Sequence, residues 1–289
     1  IPDNAQPTIT WIKANGGETE TPAADSDRWS SSVAGVKNVS DSGSYFYRIE
    51  IENYETVVGR VDNVSVSPRP LTITSEPVKT KEYDGNNAAT VGGVTEAADS
   101  GAVTGEIAGI DAAAAYADKN AGENKQFTIT YTLTTGENFI PGNYSFGGQV
   151  LTDATIEAVT NDGVITKKSA EIAGIAAVDR AYNADDSVVL GGTPQSGDII
   201  DGDNVTFTLA EGAEGTMTDA NAGAGKTVTA SLDSVVIGGT DANNYSFTIA
   251  ETSVDIAKAD STLEFGQDSY SVGYTGAPIL ESEYKKAVL

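Results

Sequence analysis

Few side chains in this 289-residue sequence have the type and spacing for chemistry. Asp198, Asp201 and Asp203 surround Gly202 and run into Asn204. Oxygen ligands of this sort suit calcium. The spacing departs from a full EF-hand loop, no Glu closes it, and Asp-Gly-Asp-Asn is also a plain hairpin turn. Asp25 and Asp27 make a sparser version. Lys125 and Lys226 sit at matching places in two similar stretches. A buried Lys joined to an Asn side chain, with a carboxylate as helper, would replace a disulfide in a chain without Cys. The polar, Gly-rich surroundings instead predict exposed, unlinked lysines. Trp11 and Trp29 are the candidates for a sugar platform. Trp11 falls on an alternating strand and reads as core. Trp29, beside Arg28 in a polar loop, reads as the exposed one. Asp and Glu total 42, so counting cannot refute a glycosidase pair. Small units with short loops offer it no cleft.

The absences are sharper. With no His, the usual base near neutral pH is missing, and His triads and His zinc sites are excluded. With no Cys, each core must hold unaided, and the compartment stays open on this count. The expectation is no enzyme, with no catalytic, cofactor-binding or metal residue and no cofactor. The net charge of −25 repels phosphate backbones and anionic lipid heads, so no nucleic-acid partner is expected. No apolar run of about 18 residues is present, so no membrane span is expected. The sequence opens at Ile1 without a leader pattern and reads as a fragment of a longer protein.

The elements that would position these residues come from a repeat. Asn120-Ala121-Gly122 and Lys125 recur as Asn221-Ala222-Gly223 and Lys226, 101 residues on. Each copy precedes a run that alternates Thr with apolar residues. Asn143-Tyr144-Ser145-Phe146 recurs as Asn244-Tyr245-Ser246-Phe247 at the same offset. A period of one domain length means tandem modules rather than a short solenoid. The Asn-Ala-Gly turn is expected to use positive φ, and the two tyrosines to anchor cores.

Four units follow. Residues 1–69 hold strand patterns at Thr8–Ile12 and Ser44–Ile51. The stretch Asp41-Ser42-Gly43-Ser44-Tyr45 resembles the tyrosine corner of immunoglobulin-like domains. Residues 70–168 and 169–258 are the two repeats, and 259–289 open a further, truncated unit with Thr262–Phe265 and Tyr270–Gly276. Asp111–Ala117 has the best helix propensity and predicts at most one or two turns. Pro68-Arg69-Pro70 marks a junction with almost no linker, and a strand is expected at once over Leu71–Thr74.

Tyr83-Asp84-Gly85, Lys119–Gly122, Lys125 and Asn143-Tyr144 resemble the YDG-type repeat of large bacterial surface proteins and its MBG-type relatives. Tyr182, Asn221–Gly223, Lys226 and Asn244-Tyr245 give the second copy. That copy has Asn183-Ala184 where the pattern has Asp-Gly, which is expected to loosen its first turn. Residues 1–69 are similar to the end of such a repeat or to a bacterial immunoglobulin-like domain. The resemblance implies exported, all-β modules and carries over no catalytic residues. The expected fold is all-β, with immunoglobulin-like β-sandwich modules end to end. The expected function is a stalk of an extracellular adhesin, its partners being neighbouring modules. The alternative is a module that binds a glycan or a host surface protein, the first unit being the likelier binder.

Overall fold

In the computed structural model, residues 6–31, 36–261, 271, 273, 274 and 276–278 are described. Thr262–Phe265, Tyr270, Val272 and Thr275, read above as parts of a fourth unit, lie outside them. The described chain is all-β, with no α-helix and four single-turn 3-10 segments. It divides into two compact units, residues 1–168 and 169–289.

The first unit opens with an antiparallel sheet of β1 (Thr8–Lys13), β2 (Gly43–Glu50) and β3 (Val57–Val64), with β2 central. β-branched and aromatic residues favour a pleated, half-buried surface. The alternation puts Ile12 and Phe46 on one buried face and Trp11 and Tyr47 on the other. The Tyr45 hydroxyl donates to the Asp41 carbonyl, which makes the expected tyrosine corner.

The rest of the first unit is a five-stranded sheet flanked by shorter pairings. Its central strand is Gly122–Thr135. Phe127, Ile129, Tyr131 and Leu133 alternate into the core, while the intervening threonines face outward. On one side lies Thr155–Thr166 and on the other Ile107–Tyr116. The latter corrects the helical expectation for Asp111–Ala117. Ala112 and Ala114 pair with Tyr131 and Ile129, and small side chains there fit beside large ones. Ladder pairing on both edges outweighs a helix propensity of a few tenths of a kcal/mol per residue. Leu71–Thr74 forms no ladder strand either. Leu71 and Ile73 are buried, yet Leu71 N–H donates to Ser145 and Thr72 N–H to Ser100, on different segments. The paired residues at this junction are Arg69–Pro70, parallel to Tyr144–Ser145.

The second unit repeats the plan as a seven-stranded sheet that includes Gly223–Ala230, Thr252–Ala257 and Ser187–Gln195. A separate pair, Thr206–Leu209 with Val235–Gly238, forms the second layer. Ile172, Val188, Val228 and Val254 are buried between them, with Phe207, Leu209 and Ile237 packed against that core. This is a sandwich built on period-2 alternation.

Candidate functional site

The residues that could do chemistry recur in pairs, and the two copies serve as controls for each other. In the first copy, Lys81 Nζ donates to Asp84 Oδ1 at 2.7 Å and to the carbonyls of Asn86 and Ala88, both at 2.9 Å. Asp84 Oδ1 also accepts from Asn86 N–H, which makes an Asx turn over Gly85 at φ +82°. In the second copy Arg180 takes the place of Lys81. Its guanidinium donates to Asn183 Oδ1 and to the carbonyls of Asp185 and Ser187. Asn183 Oδ1 accepts from Asp185 N–H, and Ala184 adopts φ +68°. The departure from Asp-Gly therefore does not loosen the turn. The side-chain network survives and forces an L-residue into left-handed backbone.

The Asn-Ala-Gly motif is organised differently from the expectation. Asp118 Oδ1 accepts from Asn120 N–H and Asp219 Oδ1 from Asn221 N–H, both at 2.8 Å, so the turn is an Asx turn. Positive φ falls at Asn124 and Gly225, just before the lysines. Both lie where the ladder register shifts, between Gly122 and Lys125 and between Gly223 and Lys226. The left-handed residue belongs to a β-bulge. The bulge turns each lysine inward: the Lys125 and Lys226 side chains are only 9% and 11% exposed. That corrects the expectation of solvated lysines. Each Nζ returns to the turn's own aspartate, at 2.7 Å on Asp118 and 2.5 Å on Asp219. These hydrogen bonds hold both carboxyls below their usual range. The lysine thus ties the turn to the bulge through a non-covalent ion pair with Asp.

The tyrosines form a second matched lock. Tyr144 and Tyr245 are fully buried, as expected of core anchors. Tyr144 Oη donates to Glu106 Oε2 at 2.7 Å and accepts from Val103 N–H at 3.2 Å. Tyr245 Oη donates to Asp203 Oδ2 at 2.6 Å and accepts from Ile200 N–H at 2.9 Å. In each copy the carboxylate stands three residues after the N–H donor. Burial pushes the Tyr144 hydroxyl pKa upward. Sequence reading missed Glu106 and Asp203 in this role; the matched spacing was the available signal.

Asp203 was also a calcium candidate, and its carboxylate is engaged by Tyr245. Asp198 Oδ2 accepts from Glu171 N–H at 2.9 Å, on another strand. Among the described residues no three Asp or Glu side chains gather as a metal site. Trp29 is not a free platform: its Nε1 donates to Ala23 O at 2.9 Å and the Arg48 guanidinium stacks 4.9 Å over its ring. Beside it, Arg28 forks onto both Glu18 oxygens at 2.8 and 2.9 Å and pulls that carboxyl down to about 2. Trp11 is half-buried beside Tyr47, with ring centroids 5.7 Å apart. Asn143 has a further part. Its Oδ1 accepts from Val39 N–H at 2.9 Å and its Nδ2 donates to Asn38 Oδ1 at 2.8 Å, which latches the opening sheet to the repeat that follows.

No helix among the described residues is long and apolar enough to cross a membrane. No curated protein sequence matches the chain. A solved structure of Sidekick-1 immunoglobulin domains 1-5 is 11% identical, with a TM-score of 0.21. The match covers 88% of this chain and 52% of that one, so the chain spans about half its length. The family model of the YDG domain matches twice, over residues 67–154 and 166–254, and takes in both turns, both bulged segments and both tyrosine locks. The chain belongs to the YDG-domain family and carries two tandem copies of that domain.

Proposed function

We propose that this chain is a non-catalytic spacer, a stalk segment of a large bacterial cell-surface protein of the adhesin kind, working outside the cell. One observation carries the reading: in both copies the groups with chemical potential are turned inward onto the same local partners. Lys125 and Lys226 hold their own aspartates, and Tyr144 and Tyr245 hold Glu106 and Asp203. Polar groups fixed this way shape a module rather than process a substrate. Asn143 favours the same reading, because it stiffens a junction that has almost no linker.

A spacer must bear load module by module. Pulled between its ends, the chain should yield two unfolding steps, each releasing about 30 nm of contour for the roughly 88 residues of one YDG domain. Yielding without discrete steps would contradict the proposal. An antibody raised against the chain should label intact source cells, and labelling that appears only after lysis would contradict the surface location.

A further inference from the structure

Each repeat brings its exit back beside its entry. In the first, Thr80–Glu82 runs parallel to Val164–Thr166, with Val164 opposite Thr80, Ile165 opposite Lys81 and Thr166 opposite Glu82. Hydrogen bonds continue past both ends of that ladder. Val164 N–H donates to Lys79 O at 2.8 Å and Tyr83 N–H to Thr166 O at 2.9 Å. In the second repeat Arg180–Ala181 runs parallel to Ile256–Ala257, and Tyr182 N–H donates to Ala257 O at 2.8 Å. Parallel neighbours need a long connection. Here the connection is the repeat itself.

Side chains cross the same seam, and they differ between the copies. In the first, Lys79 pairs with Asp162 at 2.7 Å, Lys168 with Glu82 at 4.0 Å, and Thr166 Oγ1 donates to Lys81 O at 3.3 Å. At the matching register the second copy has Val178, Ser253, Ala181 and Ala257. Its cross-strand side-chain bond instead runs from Asp255 N–H to Asp179 Oδ1 at 2.8 Å. What the two copies share is the parallel backbone ladder between entry and exit.

Parallelism decides how tension acts on that seam. Tension on the entry draws the first strand backward along its own axis. Tension on the exit draws its neighbour forward. The strands are pulled to slide past each other, so the hydrogen bonds lie across the force, share it, and must break together. Pulled apart from one end, the same bonds would break one at a time. Forced opening follows the unfolding barrier, and a barrier that contains every bond of the seam is the higher one. We infer that this seam is a shear clamp in each repeat, the device by which the spacer proposed above carries load. Its use rests on that reading; its geometry rests on the ladder alone.

The test pulls one seam in two directions. The chain has no Cys, so paired cysteines give defined handles in the whole protein. Val78→Cys with Lys167→Cys loads the first clamp in shear, and Glu82→Cys with Lys167→Cys peels the same ladder from its end. Val178→Cys and Ala181→Cys, each with Lys258→Cys, do the same in the second repeat. All six positions are exposed, so the variants should keep the parent's circular dichroism spectrum and unfolding midpoint. Single-molecule pulling should need at least about twice the force in shear as in peeling, in both repeats. Equal forces in the two directions overturn the clamp, and so does a difference confined to one repeat. Those results leave the spacer standing if the chain, pulled between its ends, still yields in two discrete steps.

Discussion

Ala184→Gly should stabilise the second YDG domain. Ala184 sits at φ +68° inside a turn held by Asn183 Oδ1 and Arg180. An L-residue in left-handed backbone costs about 1–2 kcal/mol. Glycine removes that cost but gives back about 0.5–1 kcal/mol of unfolded-chain entropy. The net gain is about 0.5–1 kcal/mol. For a domain of this size that raises the unfolding midpoint by about 2–8 °C. The first copy supplies the mirror experiment. Gly85 holds the same turn position at φ +82°, so Gly85→Ala should lower the midpoint of its own domain by at least as much. Differential scanning calorimetry of the whole chain reads both variants and assigns each transition by which substitution moves it. In the double variant the two shifts should appear independently, because the turns share no partner. An Ala184→Gly variant no more stable than the parent, or less stable, would refute the reasoning that side-chain hydrogen bonds impose left-handed backbone there.

Tyr144→Phe and Tyr245→Phe should each cost about 1–3 kcal/mol, because a carboxylate (buried at Glu106, half-buried at Asp203) and a backbone N–H lose their shared partner; urea midpoints check this, and a cost under about 0.5 kcal/mol would contradict the lock. Lys125→Met should cost under about 1 kcal/mol, since Asp118 is half exposed, with Lys226→Met moving in the same direction. Asp118 and Asp219 have depressed folded-state pKa values, so their stabilisation is complete above the unfolded pKa and disappears as pH falls through the folded values. Urea midpoints measured from pH 7 to pH 2 should therefore fall in acid, and less steeply in the two Met variants. Asn143→Ala should accelerate hydrogen exchange at Val39 N–H at least tenfold and leave exchange in the second unit unchanged.

The module plan was legible because period-2 alternation and a 101-residue offset are properties of the string itself. Phe127–Leu133 and the Asn143 and Asn244 motifs needed nothing else. What failed depended on neighbours. Ala112 and Ala114 favour helix alone, and only the ladder with Tyr131 and Ile129 makes them strand. Lys125 reads as a solvated loop lysine until the bulge at Asn124 turns it inward. Trp11 and Trp29 are both half-buried, because the loop that ties down Trp29 crosses the other face of the sheet. Glu106 was missed as a partner of Tyr144 because a hydrogen bond across 38 residues leaves no local pattern, only the three-residue spacing that the second copy repeats.

Small-angle scattering of the whole chain, with calcium and with chelator, tests the spacer account most directly. A compact globule of 289 residues has a radius of gyration of about 19 Å. A spacer predicts a radius clearly above that, with a profile indifferent to calcium, because Asp198 and Asp203 are already engaged within the module. A radius near 19 Å, or a profile that changes with calcium, would contradict it.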